Sequence, residues 1–261
     1  MLELSHLSTT SEDPFAVNVA DASLTVRPGE IVGIAGVAGN GQAELLAALS
    51  GEERMPVPAM IRIDGRPAGN LGPRERRRIG MAFVPEERLG RGAVGELSLA
   101  DNALLSGYAR PEMAMVRHGM VRFERARQFA ERIIAAFGVA ARGHRSRAQS
   151  LSGGNLQKFI IGREIMQKPR LLVVGQPTWG VDAGAAAAIH QALLDLARGG
   201  SAVLVISQDL DELFTLCDRL AVIHAGRLSP EVAVKETSVE QIGLFMGGVF
   251  ETVGEDGHAA P

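Results

Sequence analysis

The chain has 261 residues, 46% of them apolar, with a net charge of −3 and a single cysteine. That is enough apolar material for a substantial core, and the evenly mixed charges leave no basic footprint for nucleic acid. No apolar run reaches the roughly 18 residues of a membrane span, and Met1–His6 lacks the basic-then-apolar pattern of a signal peptide, so a cytosolic protein is expected, with the lone Cys217 as inert packing.

Short β-type runs come first, at Leu2–Leu7, Ala22–Val26 and Ile31–Ala35. The third leads into the turn Gly36-Val-Ala-Gly39-Asn40-Gly41-Gln42-Ala43 and then a helix-forming run, Glu44–Leu49. A strand, a glycine-rich turn and a helix form the frame of a phosphate-binding loop: glycines let backbone N–H groups turn inward, and the helix N-terminus adds partial positive charge. Such a loop ends in Lys and then Ser or Thr. Here Gln42 and Ala43 stand instead, so the cradle is present without its cation or its magnesium-binding hydroxyl.

Met60–Ile63 reads as a strand entering the Asp64-Gly65 turn, Arg74–Arg78 as an exposed basic helix face, and Met81–Pro85 as a buried strand. From Leu97 to about Met166 the pattern becomes helical; along Arg122–Phe137, Phe129, Ile133, Ala136 and Phe137 recur at three- and four-residue spacing. At the end of this stretch Leu151-Ser152-Gly153-Gly154-Asn155-Leu156-Gln157-Lys158 precedes an apolar helix. Small residues there free N–H groups at a helix start, a second anion-binding turn. A second block of strands and helices follows: Leu171–Val174, a helix through Ala183–Ala197, Ala202–Ile206, a helix over Asp209–Cys217, and Leu220–Ile223. Alternating strands and helices imply an α/β core with a mostly parallel sheet, interrupted by a helical insert. An amphipathic segment, Val239–Met246, comes next, and Glu251–Pro261 reads as a disordered tail.

Taken together, the two glycine-rich turns and the strand ending Gly175-Gln176-Pro177-Thr178, followed by Gly180-Val181-Asp182, resemble the nucleotide-binding domain of an ATP-binding-cassette transporter. The nearest subgroup is the C-terminal half of the duplicated ATPases of bacterial simple-sugar and nucleoside importers. The resemblance implies a P-loop NTPase (RecA-like) core with an N-terminal antiparallel β part, the core at 1–88 and 168–230 and a helical subdomain at about 89–167, the whole domain spanning 1–250. It also implies that two such domains stack head to tail, each ATP with its Mg2+ lying between one domain's P-loop and the other's Leu-Ser-Gly-Gly turn. Further partners would be transmembrane permease subunits and, indirectly, a substrate-binding protein, which places the chain at the inner face of the cell membrane.

Residue by residue, the resemblance implies a selective loss. Gly36, Gly39, Asn40 and Gly41 fit the nucleotide loop, but Gln42 replaces the phosphate lysine and Ala43 the hydroxyl. Gly175 stands for the metal-associated Asp, Gln176 for the catalytic Glu, and Gln208 for the γ-phosphate histidine; Glu86 stands for the sensing glutamine. Ser152, Gly153, Gly154, Asn155, Gln157 and Asp182 match. Phosphoryl transfer is mostly positioning and charge neutralisation, and an amide at Gln176 cannot accept a proton as a base. Losing the charge of one charge-assisted hydrogen bond weakens binding by roughly tenfold. The expectation is a weak or empty site at its own P-loop, no metal ligands of its own, and a working turn at Leu151–Gln157 offered to a partner with a complete P-loop.

Plainer readings stand beside these. Phe15 either stacks on adenine or packs in the core, and Trp179 either lies at an inter-domain face or covers the sheet edge. Glu86, Glu87 and Arg88 form a hinge or a solvated charge run; Lys158 and Arg163 read as surface salt-bridging residues. Three functional alternatives remain open: a competent ATPase with unusual residues, a nucleotide-free scaffold, and a cassette protein from outside transport.

Overall fold

The computed structural model describes residues 1–11 and 13–250; the tail expected at Glu251–Pro261 lies outside the described residues. The chain opens with β1 (Leu2–Leu7) and β2 (Ala22–Val26), in which buried and exposed residues alternate. With β4 (Ile61–Ile63) and β5 (Arg66–Pro67) they make an antiparallel sheet in the order β2-β1-β4-β5. One face of that sheet is wet, as the alternation requires.

The central sheet is parallel. Its strands are β3 (Ile31–Ala35), β6 (Met81–Val84), β9 (Leu171–Gly175), β10 (Ala202–Ser207) and β11 (Arg219–His224), ordered β6-β9-β10-β3-β11. All residues of β3, β9 and β10 are buried, because both faces are covered. Along β3, Val32 and Ile34 pack with Leu45, Leu49 and the antiparallel sheet, while Ile31 and Ala35 pack with Phe159, Ile189 and Leu213. Two short strands, β12 (Arg227–Leu228) and β13 (Val232–Ala233), add antiparallel to β11.

On one side lie α1 (Gln42–Ser50) and α2 (Pro73–Arg78); between β6 and β9 come α3 (Leu99–Gly107), α4 (Phe123–Ala136) and α5 (Gly153–Ile165). The stretch expected to be helical from Leu97 to Met166 is interrupted by a small hairpin, β7 (Val116–Arg117) and β8 (Met120–Val121), whose turn uses Gly119 at φ 78°. The C-terminal part supplies α6 (Ala183–Arg198), α7 (Leu210–Leu216) and α8 (Val239–Met246), the last with the bounds the sequence predicts.

Two sequence expectations need correction. Arg74–Arg78 is not a plain exposed face: Arg76 is 1% exposed. Its guanidinium donates to the carbonyls of Ala48 and Leu49 at the C-terminus of α1, and to those of Leu71 and Gly69. Burial pushes its pKa down to about 10, and the favourable end of the helix dipole holds the charge there. Nor is Arg163 at the surface. It is buried beside Glu164, whose carboxylate also takes Arg77 at 2.6 Å and Ser106 at 2.7 Å. A charge pair this deep is sustained only by such complete hydrogen bonding. Lys158 donates its Nζ to the carbonyl of Gly138 at 2.7 Å. Cys217 is buried as expected, and burial pushes its thiol pKa up.

Candidate functional site

In a parallel sheet every strand points its carboxyl end the same way, so the loops after β3, β6, β9 and β10 gather at one edge, the usual place for a ligand in such folds. The register pairs Ala35 with Ser207, Ile206 with Gly175, and Val84 with Val174. This brings Gly36–Gly41, Glu86, Gln176 and Gln208 to that edge. The sequence spacing therefore predicts the neighbourhood; what its members do there is less predictable.

The loop before α1 has the glycine geometry of a phosphate cradle, with Gly41 at φ 107° supplying a left-handed N-cap that has no capping side chain. The cradle is filled from within. Gln42, 6% exposed, folds back: its Nε2 donates to the carbonyl of Val37 at 2.8 Å, and its Oε1 accepts the N–H of Asn40 at 3.0 Å. The amide lies over Gly36, where a Cβ would come within 2.6 Å of Nε2. Asn40 closes the loop further, donating to Val37 at 2.9 Å and accepting from the N–H of Ala225 at 2.9 Å. Ala43 is exposed and carries no polar atom in its side chain.

Beside the loop, β9 ends at Gly175. A Cβ there would lie 2.8 Å from Cγ of Glu86 and 3.1 Å from Cδ1 of Leu46, so Glu86 occupies the volume an acidic side chain on β9 would need. Glu86 is solvent-exposed over much of its area, yet partial burial desolvates its carboxyl and raises its pKa. Gln176 is buried in the left-handed region at φ 47°; its Oε1 makes only long contacts, 3.5 Å each, with Ser207 Oγ and the N–H of Gln208. Ser207 is instead engaged at 2.7 Å with Glu212, a buried carboxylate that also takes Thr178 at 2.6 Å and His190 at 3.1 Å. That Thr178–Ser207–Glu212–His190 cluster carried no sequence signal, since its members look like ordinary helix and loop residues.

A magnesium ion does not fit this edge. There is no hydroxyl at position 43, no carboxylate at 175, and no cluster of His, Cys, Asp or Glu among the described residues that could hold a metal.

The second turn is built differently. Ser152 is the N-cap of α5, in extended geometry at φ −62° and ψ 155°. Its exposed hydroxyl oxygen accepts from Asn155 Nδ2 at 2.8 Å, which leaves the hydroxyl hydrogen for an acceptor from outside. Asn155 is itself pinned, accepting the N–H of Ala140 at 2.7 Å. Gly153 and Gly154, the first residues of the helix, have no side chain to fold over the N–H groups. Gln157 is 2% exposed and fully employed: Oε1 accepts from Arg88 Nε at 3.1 Å, and Nε2 donates to the carbonyl of Pro177 at 2.9 Å. Asp182 caps α6 through the N–H of Ala185 at 2.9 Å, and that hydrogen bond lowers its pKa while its side chain stays in water.

The aromatic readings resolve in part. Phe15 is 92% exposed, so it does not pack in the core, and it lies on the turn that leads to Val17, whose N–H is held by Glu44 of α1. Trp179 is 65% exposed. Arg88 is half-buried against Gln157, so 86–88 is not simply a solvated run.

A parallel sheet with a glycine-rich loop running into α1, and an antiparallel sheet laid beside it, defines a P-loop nucleotide-binding fold. The sequence pattern of the ABC transporter family matches residues 19–179, and the chain belongs to that family. It is 39% identical over 248 residues to the nucleoside import ATP-binding protein NupA of Lactococcus lactis, a match covering 95% of this chain and 48% of that protein. It is 40% identical to the guanosine import ATP-binding protein NupO of Bacillus subtilis, over 88% of this chain and 44% of that one. The glucose import ATP-binding protein TsgD13 of Haloferax volcanii is also 40% identical, over 88% of this chain and 42% of that one. The chain thus spans about half the length of the curated relatives it matches. Its fold is that of a solved ATP-binding subunit of an ABC transporter, with a TM-score of 0.73 and 23% identity over 97% of this chain and 95% of that one. A dimeric bacterial ABC transporter cassette superposes with a TM-score of 0.74 at 21% identity, over 91% of this chain and 100% of that one. Among the described residues no helix is long and apolar enough to cross a membrane.

Proposed function

We propose that this chain is a nucleotide-binding cassette of an importer for a nucleoside or simple sugar, degenerate at its own ATP site, and that it presents Ser152–Gln157 to ATP held by the intact P-loop of a second cassette. The observation that carries this reading is the contrast between its two anion-facing turns. The loop before α1 is closed by Gln42, and Glu86 fills the space beside Gly175. The turn before α5 keeps an exposed hydroxyl and a side-chain-free helix start. The import role rests on the named relatives, all of them import ATP-binding proteins.

In this reading Ser152 Oγ and the N–H groups of Gly153–Asn155 donate to the terminal phosphate of the partner's nucleotide, with Asp182 at the same face. Magnesium and the general base belong to that partner's site, because Ala43, Gly175, Gln176 and Gln208 cannot supply them here. Residues 89–167 form the helical part that meets the permease subunits, residues 1–88 and 168–230 the core, and the assembly sits against the inner face of the cell membrane, fed by a substrate-binding protein. No nucleic acid is involved.

The test is ATP turnover by the assembled transporter. Ser152→Ala removes one hydrogen bond to a charged group, about 1.5–3 kcal/mol, and should slow turnover by roughly 10- to 150-fold. Gln42→Ala should leave it within about twofold. The reverse pattern would sink the assignment. The sealed loop also favours a second reading, that this chain holds no nucleotide of its own: a thermal shift of the isolated chain by ATP, with or without magnesium, would exclude it.

A further inference from the structure

The guanidinium of Arg88 joins three segments that the sequence keeps far apart. Arg88 follows β6 by four residues, and its Nε donates to Gln157 Oε1 at 3.1 Å. A Cβ on Gly153 would lie 2.8 Å from Nη1, and one on Gly180 would lie 3.4 Å from Nη2. The head group is therefore wedged between the first residue of α5 and the turn before α6, in space that exists because both positions are glycine. Gln157 continues the connection, its Nε2 donating to the carbonyls of Pro177 at 2.9 Å and Gln176 at 3.4 Å.

This placement is electrostatically costly on its own terms. The N-terminus of a helix carries about half a unit of positive charge, and a cation set against it is repelled. Nη2 of Arg88 is buried and has no hydrogen-bond acceptor among the described residues. Burial accordingly holds the guanidinium pKa below its ordinary value. What keeps the side chain in place is the Gln157 amide and the fit against the two glycines, and neither would be needed by a surface arginine.

We propose that Arg88 is a positioning residue for the turn at Ser152–Asn155: through Gln157 it fixes the start of α5 against the ends of β6 and β9, and it holds an unpaired positive charge behind the turn. The turn is thereby set in place before any anion arrives, which is the condition under which hydrogen-bond donors serve a phosphate without reorganising. The connection also runs from Glu86 and Gln176, at this chain's own nucleotide edge, to the turn offered outward. The inference rests on the proposed donation of that turn to a partner's nucleotide.

Two measurements test it. In the isolated chain, Arg88→Ala should speed exchange of the first hydrogen-bonded amides of α5, Leu156 and Gln157, by about tenfold, the loss of one charge-assisted hydrogen bond, while exchange in β3 and β10 stays unchanged. In the assembled transporter the same variant should lower kcat for MgATP by about tenfold and shift KM by less than about twofold, because nucleotide is captured first by the partner's P-loop. Arg88→Lys keeps the charge but not the planar fork, so it should recover part of kcat. Gln157→Leu keeps the charge and the shape but cuts the connection, and should reproduce the exchange effect; it serves if Arg88→Ala does not fold. Unchanged exchange at Leu156 and Gln157 in either variant, or kcat within twofold of wild type, overturns the proposal. Ser152→Ala run in parallel separates the two ideas. If Ser152→Ala is silent, the donation reading fails; if it slows turnover and the Arg88 variants do not, only the positioning role fails.

Discussion

Removing Gln42 should weaken the fold and strengthen nucleotide binding at the same time. In the folded chain its side chain makes two hydrogen bonds inside the loop, at 2.8 Å to Val37 and 3.0 Å from Asn40. Each is worth about 1 kcal/mol net, and with water partly replacing them Gln42→Ala should cost about 1–2 kcal/mol. For a chain of this size that lowers Tm by about 2–6 °C. A phosphate entering the loop competes for the N–H of Asn40, so in the wild type it must displace the same two bonds. Deleting them in advance returns about 1–2 kcal/mol to binding, a gain of about 5- to 30-fold in ATP affinity of the isolated chain. Calorimetric titration with ATP, beside a thermal melt of both proteins, reads both numbers. Gln42→Glu keeps the acceptor and adds a negative charge, and should bind no ATP. A lower Tm with no tighter binding would refute the reasoning, because it would mean that Gln42 and a phosphate do not compete for the same donors.

Three further outcomes follow from the same edge and from the buried charges. The raised pKa of Glu86 means that its ionisation destabilises the fold from the ordinary value of 4.5 upward; Glu86→Gln should raise Tm at pH 7, with the gain vanishing below pH 4.5. Gly175→Asp should be destabilising by about 1–3 kcal/mol from collision with Glu86 and Leu46, and Glu86→Ala should relieve most of that cost in a double-mutant cycle of thermal melts. For Glu164, burial raises the pKa, but the charges of Arg77 and Arg163 and the hydrogen bonds from Arg77 and Ser106 outweigh it and bring it below 4.5. Its stabilisation is present above that value and lost as pH falls through the folded pKa. Glu164→Ala strands two guanidiniums and should cost about 3–5 kcal/mol at pH 7, with a flatter loss of stability in acid.

The elements written in local pattern were legible. β1, β2, β3 and α8 fall on the predicted bounds because apolar alternation, a continuous apolar run, or three- and four-residue spacing marks each one. The two glycine-rich turns were legible for the same reason, since their chemistry depends on adjacent residues. What escaped depends on partners distant in sequence. Arg77 meets Glu164 across 87 residues, and Arg88 meets Gln157 across 69, so a basic run that reads as a wet helix face turns out to tie α2 to α1 and α5. Substitution by itself also said only what Gln42 and Gly175 lack. That Gln42 satisfies the loop, and that Glu86 fills the place at Gly175, needed geometry.

Both turns begin a helix, and the same backbone physics acts at each, yet one is closed and the other open. The difference lies in the first helical residue. At α1 the N-cap is Gly41, which has no side chain to cap with, and the next residue is Gln42, long enough to reach back and carrying both a donor and an acceptor. Its Oε1 takes the N–H of Asn40 as an incoming phosphate would, without the charge, and its Nε2 donates to the carbonyl of Val37. At α5 the N-cap is Ser152, whose oxygen is already held by Asn155, and the next residue is Gly153, which cannot reach anything. The Asn155 N–H caps onto Ser152 Oγ, the N–H groups of Gly153 and Gly154 stay free, and the Arg88 head group lies against Gly153. In the proposed reading, a glutamine at one helix start and a glycine at the other turn the chain's anion-binding capacity away from its own loop and toward a neighbour.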